Sequence, residues 1–230
     1  MSDGSTFSQE PNAQKFLQLA GTDTYLRARF GEPDTFPASE PNWSDRAHAA
    51  VRVNMDKVKR LAGDKTRTPP QKHDAARQLA EAACAALETA ERGMLKRATE
   101  INQEGEAAIL SRLDVDRINP KLFSLICDWF VRESGAEGGV TRMRARVEGD
   151  VEVAAVAFFS KGFLLNLPDA THSLLIETAY RKHVPDAVAK FERATQLRKW
   201  AENMEPMRRD IRASWFNRSI ADQVSTRVEI

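Results

Sequence analysis

The sequence predicts a mainly helical protein, a helical bundle or long helical hairpin built on one helix over residues 69–113. Apolar residues recur at spacings of three and four along most of the chain, and capping residues with adjacent prolines mark where helices begin. A third observation adds a small antiparallel β element, because apolar and polar residues alternate over 140–148, 151–159 and 224–230.

Composition limits the classes of protein to which the chain can belong. It has 230 residues, of which 29% are charged, and a net charge of +1, so neither a basic nucleic-acid arm nor an acidic tail dominates it. Cys84 and Cys127 lie in apolar helical patterns, which is typical of reduced cytosolic thiols. The first residues lack the cationic and apolar parts of a signal peptide, and no apolar stretch reaches the ~18–20 residues of a membrane span. We therefore expect no membrane association and a cytoplasmic location, or a virion if the chain comes from a phage.

Residues 1–43 are predicted to be a flexible N-terminal segment that leads into a proline-rich arm. Prolines at 33, 37 and 41 fix φ and remove backbone donors, so the arm is not expected to be helical. Phe36 and Trp43 need burial, either in the body of the protein or on a partner. Both are therefore candidate interface residues.

Residues 44–134 are predicted to form a helical domain with a long central helix. Ser44 is expected to cap a helix over 45–62, whose apolar residues share one stripe. A threonine and a proline then form the capping pattern that begins the long helix, which would extend about 65 Å at ~1.5 Å per residue. Gly93 and Gly105 are its expected weak points, and Gly105 is the preferred position for a break.

The long helix carries a seam of small and apolar side chains at alternating spacings of four and three, interrupted only by Glu91. The larger members of the seam are Leu87, Met94 and Ile101, which fill gaps between small neighbours. A helix of this length needs a surface that covers its seam. We therefore predict either an intramolecular bundle or an intermolecular coiled coil with another copy of the chain, and these three residues are candidate interface residues.

Residues 140–230 are predicted to form a mixed C-terminal region with a terminal strand, separated from the helical domain by a glycine-rich hinge over 135–139. Alternation favours a β-hairpin over 140–148 and 151–159. A helix is the competing interpretation, and it would place Gly149 in its interior.

The last residues, 224–230, alternate as well, with Val228 and Ile230 on one face. A lone strand is not stable in water, so this segment is expected to join the hairpin or to add to a sheet in another protein. Val228 and Ile230 are therefore candidate interface residues.

The sequence predicts no catalytic residue, no cofactor and no metal ligand. Its four histidines fit no zinc or metalloprotease spacing and are most simply explained as surface or boundary residues; they are His48, His73, His172 and His183. Cys127 and His183 would form a nucleophile and base only if the fold brought them together. Cys127 lies on a strongly apolar helix, which favours a buried and unreactive thiol.

One segment near the C-terminus, 197–219, combines cations with aromatic residues. Its candidate binding residues are Arg198, Lys199, Arg208, Arg209, Arg212, Trp215 and Arg218. Three interpretations stay open. The tryptophans belong to the core and the arginines to a solvated face, or the patch binds a protein, or it binds nucleic acid by pairing with phosphates and stacking on bases.

We expect a non-enzymatic structural or adaptor protein that acts through protein–protein contacts in a larger assembly, possible settings being a phage or a bacterial complex. The long small-sided helix, the aromatic arm and the unpaired terminal strand are parts that virion and adaptor subunits commonly carry. The expected partners are proteins, including a second copy of the chain. The alternatives are a nucleic-acid-binding protein that uses the C-terminal patch and an enzyme of unrecognised type.

Overall fold

A computed structural model describes residues 11–32, 36 and 41–224, and within these ranges the chain forms helices and no strands. The mainly helical prediction is therefore confirmed. Three short 3-10 turns lie at Val115–Arg117, Gly162–Leu165 and Asp222–Val224. The helices are α1 Pro11–Leu19, α2 Asp23–Phe30, α3 Trp43–Gly63, α4 Pro69–Arg112, α5 Pro120–Ser134, α6 Gly139–Gly149, α7 Val151–Phe159, α8 Asp169–His183, α9 Pro185–Glu202, α10 Met204–Ser214 and α11 Arg218–Ala221.

The chain divides into two compact units. Unit 1 contains the described residues up to Arg97 and those from Gln196 onward, and unit 2 contains residues 98–195. The helices α4 and α9 contribute residues to both units. The glycine-rich segment 135–139 lies within unit 2, between α5 and α6.

The long helix α4 runs through both of its glycines without a break, so the predicted weakness at Gly105 is wrong. The reason is that an aromatic ring packs against each glycine. A Cβ atom added at Gly93 would lie 2.6 Å from two ring carbons of Trp43. One added at Gly105 would lie 2.7 Å from a ring carbon of Phe191. Both glycines are therefore packing positions, at which the missing side chain makes room for a neighbour.

In unit 1 the predicted stripe of α3 is buried as expected, with Ala47, Val51 and Met55 fully inaccessible. The helix begins two residues earlier than predicted, because the side chain of Asn42 caps it by accepting the backbone N–H of Asp45 at 2.9 Å. The expected cap, Ser44, is buried and donates instead to the carbonyl of Gly31 at 2.7 Å.

The seam of α4 is filled by the chain itself, as the intramolecular alternative expects. Leu87 and Met94 are 0% exposed within unit 1, and Ile101 is 5% exposed within unit 2. Opposite the seam in unit 1, α10 contributes the carbonyl of Arg208, 3.7 Å from the sulfur of Cys84. These three side chains are therefore covered by other residues of the same chain.

The core of unit 2 is made by α5 to α8, and it corrects the predicted hairpin. Residues 140–148 and 151–159 belong to two helices, α6 and α7, with Met143 and Val147 0% exposed. These two are four residues apart and share a helix face, whereas Ala145, which a strand would place beside them, is exposed. In α7, every residue over 153–157 is buried, so its apolar run has no periodicity that separates strand from helix.

The expected turn near residue 150 exists, but it separates two helices. Asp150 has extended backbone and caps α7, since its side chain accepts the backbone N–H groups of Glu152 at 3.0 Å and Val153 at 3.3 Å. Asp150 also pairs with Arg146 at 3.2 Å in the last turn of α6. Gly149 ends α6, where the helical interpretation had placed it in the interior.

The predicted terminal strand lies almost entirely outside the described residues. Val224 belongs to a 3-10 turn and is 40% exposed. Val228 and Ile230 are not among the residues that the structure describes.

Candidate protein-interaction surfaces

A groove of about 670 Å³ lies beside α10 in unit 1. We name it the arginine groove. It contains three of the arginines predicted as a binding patch, together with an arginine from the start of α4. Its lining consists of Arg77, Glu81, Glu205, Arg209, Arg212, Ala213, Phe216, Arg218 and Asp222.

One carboxylate binds two nitrogens along the same edge of the Arg212 guanidinium group. Its Nε and Nη2 atoms donate to the two oxygens of Glu81 at 3.1 Å and 3.0 Å. This forked geometry is the strongest that an arginine makes with a carboxylate. The hydrogen bonds from Arg212 lower the pKa of Glu81, and those to Glu81 raise the pKa of Arg212. Both groups therefore remain charged and paired near neutral pH.

Arg77 holds two carboxylates at the rim of the same groove. It donates to Asp222 at 2.7 Å, across 145 positions of sequence, and to Asp74 on its own helix. The hydrogen bond with Asp74, followed by that with Asp222, raises the pKa of Arg77. This guanidinium group thus links residues 217–224, which we name the C-terminal turn, to the first part of α4.

Arg208 is enclosed, with a side chain 12% exposed. It pairs with Glu91 of α4 and with Glu205 in its own helix. Glu91, the charged residue that interrupts the apolar seam, is therefore paired with a cation from α10. Arg209 and Arg218 are different, because their side chains are 76% and 88% exposed and their nearest carboxylates are 4.0 Å away.

The aromatic members of the predicted patch do not face solvent. Trp215 is 0% exposed and Trp200 8% exposed, so both belong to the core of unit 1. Of the remaining predicted residues, Arg198 is half-buried and Lys199 is exposed. The patch is therefore a surface of both paired and exposed cations, and the half-buried Phe216 is the aromatic side chain that lines its groove.

The two aromatic residues of the predicted arm are both used inside unit 1. Phe36 is 8% exposed and lies against Trp200, with the ring centroids 6.1 Å apart. Trp43 is half-buried over Gly93, and Arg46 lies 4.7 Å above the Trp43 ring as a cation–π contact.

The most exposed apolar residues of unit 2 lie on a turn that the sequence analysis did not select. In the 3-10 turn Gly162–Leu165, Phe163 is 74% exposed and Leu164 is 58% exposed. The turn is anchored on both sides of them, since Leu165 is 0% exposed and the backbone N–H of Leu167 donates to Gly162 at 2.9 Å. We name this feature the Phe163 turn.

The residue after the Phe163 turn fixes its conformation. Asn166 has φ of 53°, the left-handed conformation that asparagine tolerates better than most residues. Its side-chain amide donates to the hydroxyl of Ser134 at 3.0 Å. Glycine and asparagine are both favoured in turns. Their presence at 162 and 166, between two apolar segments, is the signal in the sequence that indicates this turn.

A second apolar surface in unit 2 is a shallow groove of about 340 Å³ formed by α5, α6 and α7. Its lining consists of Leu125, Ile126, Trp129, Arg146 and Val153. Leu125 is 55% exposed, and Trp129 packs against the buried ring of Phe130 with the centroids 5.0 Å apart. The groove is large enough for one or two partner side chains and lies at the lower end of the ~300–1,000 Å³ range of small-molecule sites.

The two thiols lie in environments that suppress their reactivity. Burial raises the pKa of Cys84 to about 11, and it also raises the pKa of Cys127. His183 donates its Nε2–H to the carbonyl of Val147 at 2.7 Å, so this nitrogen is engaged with the backbone. Within the described ranges, no group of three or more histidine, cysteine, aspartate or glutamate residues is placed to hold a metal ion.

No family model, no curated protein and no solved structure matches the chain. In the part of the chain that the structure describes, none of the helices combines the length and the apolar character needed to cross a membrane.

Proposed function

We propose that this protein is a non-catalytic structural or adaptor subunit that binds another protein through the Phe163 turn. The observation that carries the proposal is the display of Phe163 and Leu164 side by side, 74% and 58% exposed, on a turn whose neighbours are buried. An apolar pair held outward in this way is suited to fill an apolar pocket in a partner protein.

The energetic argument rests on burial and preorganisation. Moving a phenylalanine or leucine side chain fully out of water contributes roughly 1.5–3 kcal/mol each. Association normally loses part of such a gain when a flexible segment becomes ordered. The contacts of Leu165, Asn166 and Leu167 already fix this turn, so little further ordering is needed.

The arginine groove gives less support to a nucleic-acid function. Arg77 and Arg212 of this groove are paired with carboxylates inside unit 1, and phosphates would have to compete with these, which leaves Arg209 and Arg218 as its exposed cations. Stacking on successive bases needs several exposed aromatic rings, whereas the aromatic lining of this groove is the half-buried Phe216, and Trp215 is fully buried. A protein partner is therefore the better-supported interpretation of this chain.

The test is affinity purification of the tagged protein from its native host, followed by mass spectrometry. The double variant Phe163→Ala/Leu164→Ala is expected to lose the partner that the wild-type chain retains. Leu110→Ala is the matched control, because Leu110 is also an exposed leucine of unit 2, 52% accessible, but lies outside the Phe163 turn. Circular dichroism should show unchanged helicity in both variants, since neither change removes a core contact.

Light scattering on the pure protein distinguishes the kinds of partner. A dimer that dissociates in the double variant would identify a second copy of the chain as the partner. If the double variant retains every protein that the wild-type chain retains, and the control does the same, the Phe163 turn is not the binding surface and the proposal is wrong.

A further inference from the structure

His73 connects the beginning of α4 to the C-terminal turn of unit 1. Its imidazole is 5% exposed, and its Nδ1 atom accepts the backbone N–H of Asn217 at 3.0 Å. Asn217 is the residue that caps α11, where its side chain accepts the N–H of Ile220 at 3.3 Å. One hydrogen bond to a titratable ring thus holds the residue from which the last described helix begins.

This hydrogen bond requires the neutral form of the imidazole. A nitrogen that accepts a hydrogen bond carries no proton, so in the neutral ring the proton resides on Nε2. Protonation places a second proton on Nδ1 and converts it from an acceptor into a donor. The N–H of Asn217 then faces the new N–H of the His73 ring where it had an acceptor. The ring also carries a positive charge in a site that excludes water.

Four charged groups on the two segments that meet at His73 are paired with one another. On α4 these are Asp74 and Arg77, and on the C-terminal turn they are Arg218 and Asp222. Lys72, next to His73, donates instead to the carbonyl of Ala62 at 3.1 Å. Arg77 binds both Asp74 and Asp222, and Asp222 also lies 4.0 Å from Arg218. Burial lowers the pKa of His73, so these carboxylates do not offset the loss of water around the charged ring.

We propose that His73 is an acid-sensitive latch, which in its neutral form holds residues 217–224 against the start of α4 and on protonation releases them. Release separates Asp222 from Arg77 and removes Arg218 and Asp222 from the lining of the arginine groove. Mild acid therefore changes both the shape and the charge of this groove. The latch lies in unit 1 and does not depend on the Phe163 turn, so the two proposals fail separately.

The direction and size of the effect follow from linkage. A free histidine has a pKa of about 6.5, so a released His73 takes up a proton below this value, while the latched ring resists it. Between about pH 7.5 and about pH 5.5, the equilibrium constant for opening is therefore expected to rise up to about tenfold. The effect is absent above the ordinary histidine pKa and grows as the pH falls below it.

The experiment is amide hydrogen exchange on the full chain at these two pH values, corrected for the intrinsic pH dependence of exchange. The protection factors of amides 217–224 should fall up to about tenfold in acid. At both pH values their protection should stay below that of α3, in the same unit, because a local opening costs less than unfolding of the unit. Equal protection of 217–224 and α3 would indicate exchange by unfolding of the whole unit and would overturn the local latch, as would unchanged protection of 217–224 in acid.

Two variants separate the titration from the packing. His73→Asn places an amide oxygen near the position of Nδ1 and does not titrate, so its C-terminal amides should keep their protection in acid. His183→Asn removes a histidine of unit 2 that donates to a carbonyl, and it should leave the acid response of 217–224 intact. If His73→Asn shows the wild-type pH response, another group is responsible and the proposal is wrong. If His73→Asn does not fold, unchanged protection of 217–224 in the wild-type protein in acid would still overturn the proposal.

Discussion

Replacing Gly93 by alanine reverses the usual effect of that substitution in a helix. Alanine in a helix interior is normally better than glycine by about 1 kcal/mol. At this position the new Cβ would lie 2.6 Å from two ring carbons of Trp43, well inside any normal contact distance. Overpacking of this kind costs about 1–3 kcal/mol, because the ring or the helix must move. We therefore expect Gly93→Ala to destabilise unit 1 by about 1–2 kcal/mol.

The control is a double-mutant cycle with Trp43→Ala. When the indole is absent, the added methyl group meets no ring, and Gly93→Ala should stabilise the protein by about 1 kcal/mol. The coupling between the two positions is then about 2–3 kcal/mol. Gly63→Ala is a second control, since a Cβ added there meets nothing within 4 Å. It should leave stability unchanged or slightly raised.

Thermal denaturation followed by circular dichroism measures the four proteins of the cycle and the Gly63→Ala control. For a chain of this size, 1 kcal/mol corresponds to roughly 2–4 °C in Tm. Gly93→Ala should therefore lower Tm in the wild-type background and raise it in the Trp43→Ala background. A rise of equal size in both backgrounds would show that the ring does not occupy the space beside Gly93, and the explanation for the unbroken helix would be wrong.

Three further predictions concern the same unit. Gly31→Ala should destabilise it by about 2–4 kcal/mol in thermal melts, because Gly31 has φ of 84° and its added Cβ would clash with the Trp200 ring, with one ring carbon 2.6 Å away and others closer. Glu91→Ala should cost about 1–3 kcal/mol by urea denaturation, because it removes one of the two carboxylate partners of the enclosed Arg208 and leaves Glu205. Glu91→Leu combined with Arg208→Met should be nearly neutral. Burial lowers the pKa of His48, so the stability that its neutral form contributes is complete above about pH 6.5 and is lost as the pH falls toward the folded-state pKa. Tm should accordingly be lower at about pH 5.5 than at about pH 7.5, and His48→Gln should reduce the difference.

Local sequence patterns were sufficient to predict most of the helices. At α5, Asn119 accepts the N–H of Lys121 at 2.9 Å and Pro120 occupies the first turn, as the capping pattern predicts. At α4, the side chain of Gln71 accepts the N–H of Thr68 at 3.0 Å, which is half of a capping box and lies where the threonine–proline pattern predicts the helix to begin. These signals act over three or four residues, so one sequence contains all the information that they need.

The errors arose where the same local pattern fits two structures. Met143, Ala145 and Val147 alternate like a strand, but Met143 and Val147 also stand four apart, and only the surrounding core decides between the two periods. The two glycines of α4 were judged by helix propensity alone. Their aromatic neighbours come from elsewhere in the sequence, with Trp43 lying 50 positions before Gly93, and propensity does not contain such contacts.

The charges of the C-terminal patch also show that a local sequence pattern can fit more than one structure. A helix rich in arginine and tryptophan has the same sequence pattern whether its cations contact solvent, phosphate or another helix of the same chain. The partner of Arg208 is Glu91, which is 117 positions away. Only the tertiary fold could show that this cation is enclosed and that Trp215 lies in the core.

The ion pairs between α10 and α4 also explain why a charged residue interrupts an otherwise apolar seam. Arg212 meets Glu81 while Arg208 meets Glu91, so the two helices run in opposite directions in one register. A slip of one helical turn would move Arg208 toward Leu87 and leave Glu91 without its cation, while Arg208 would keep only Glu205 of its own helix. Breaking an enclosed pair costs up to about 3–5 kcal/mol, whereas small apolar side chains alone would tolerate several registers. Glu91 therefore costs little stability in the correct register and destabilises the neighbouring registers of α10 on α4. Fixing the register is the best-supported use of enclosed polar residues in paired helices.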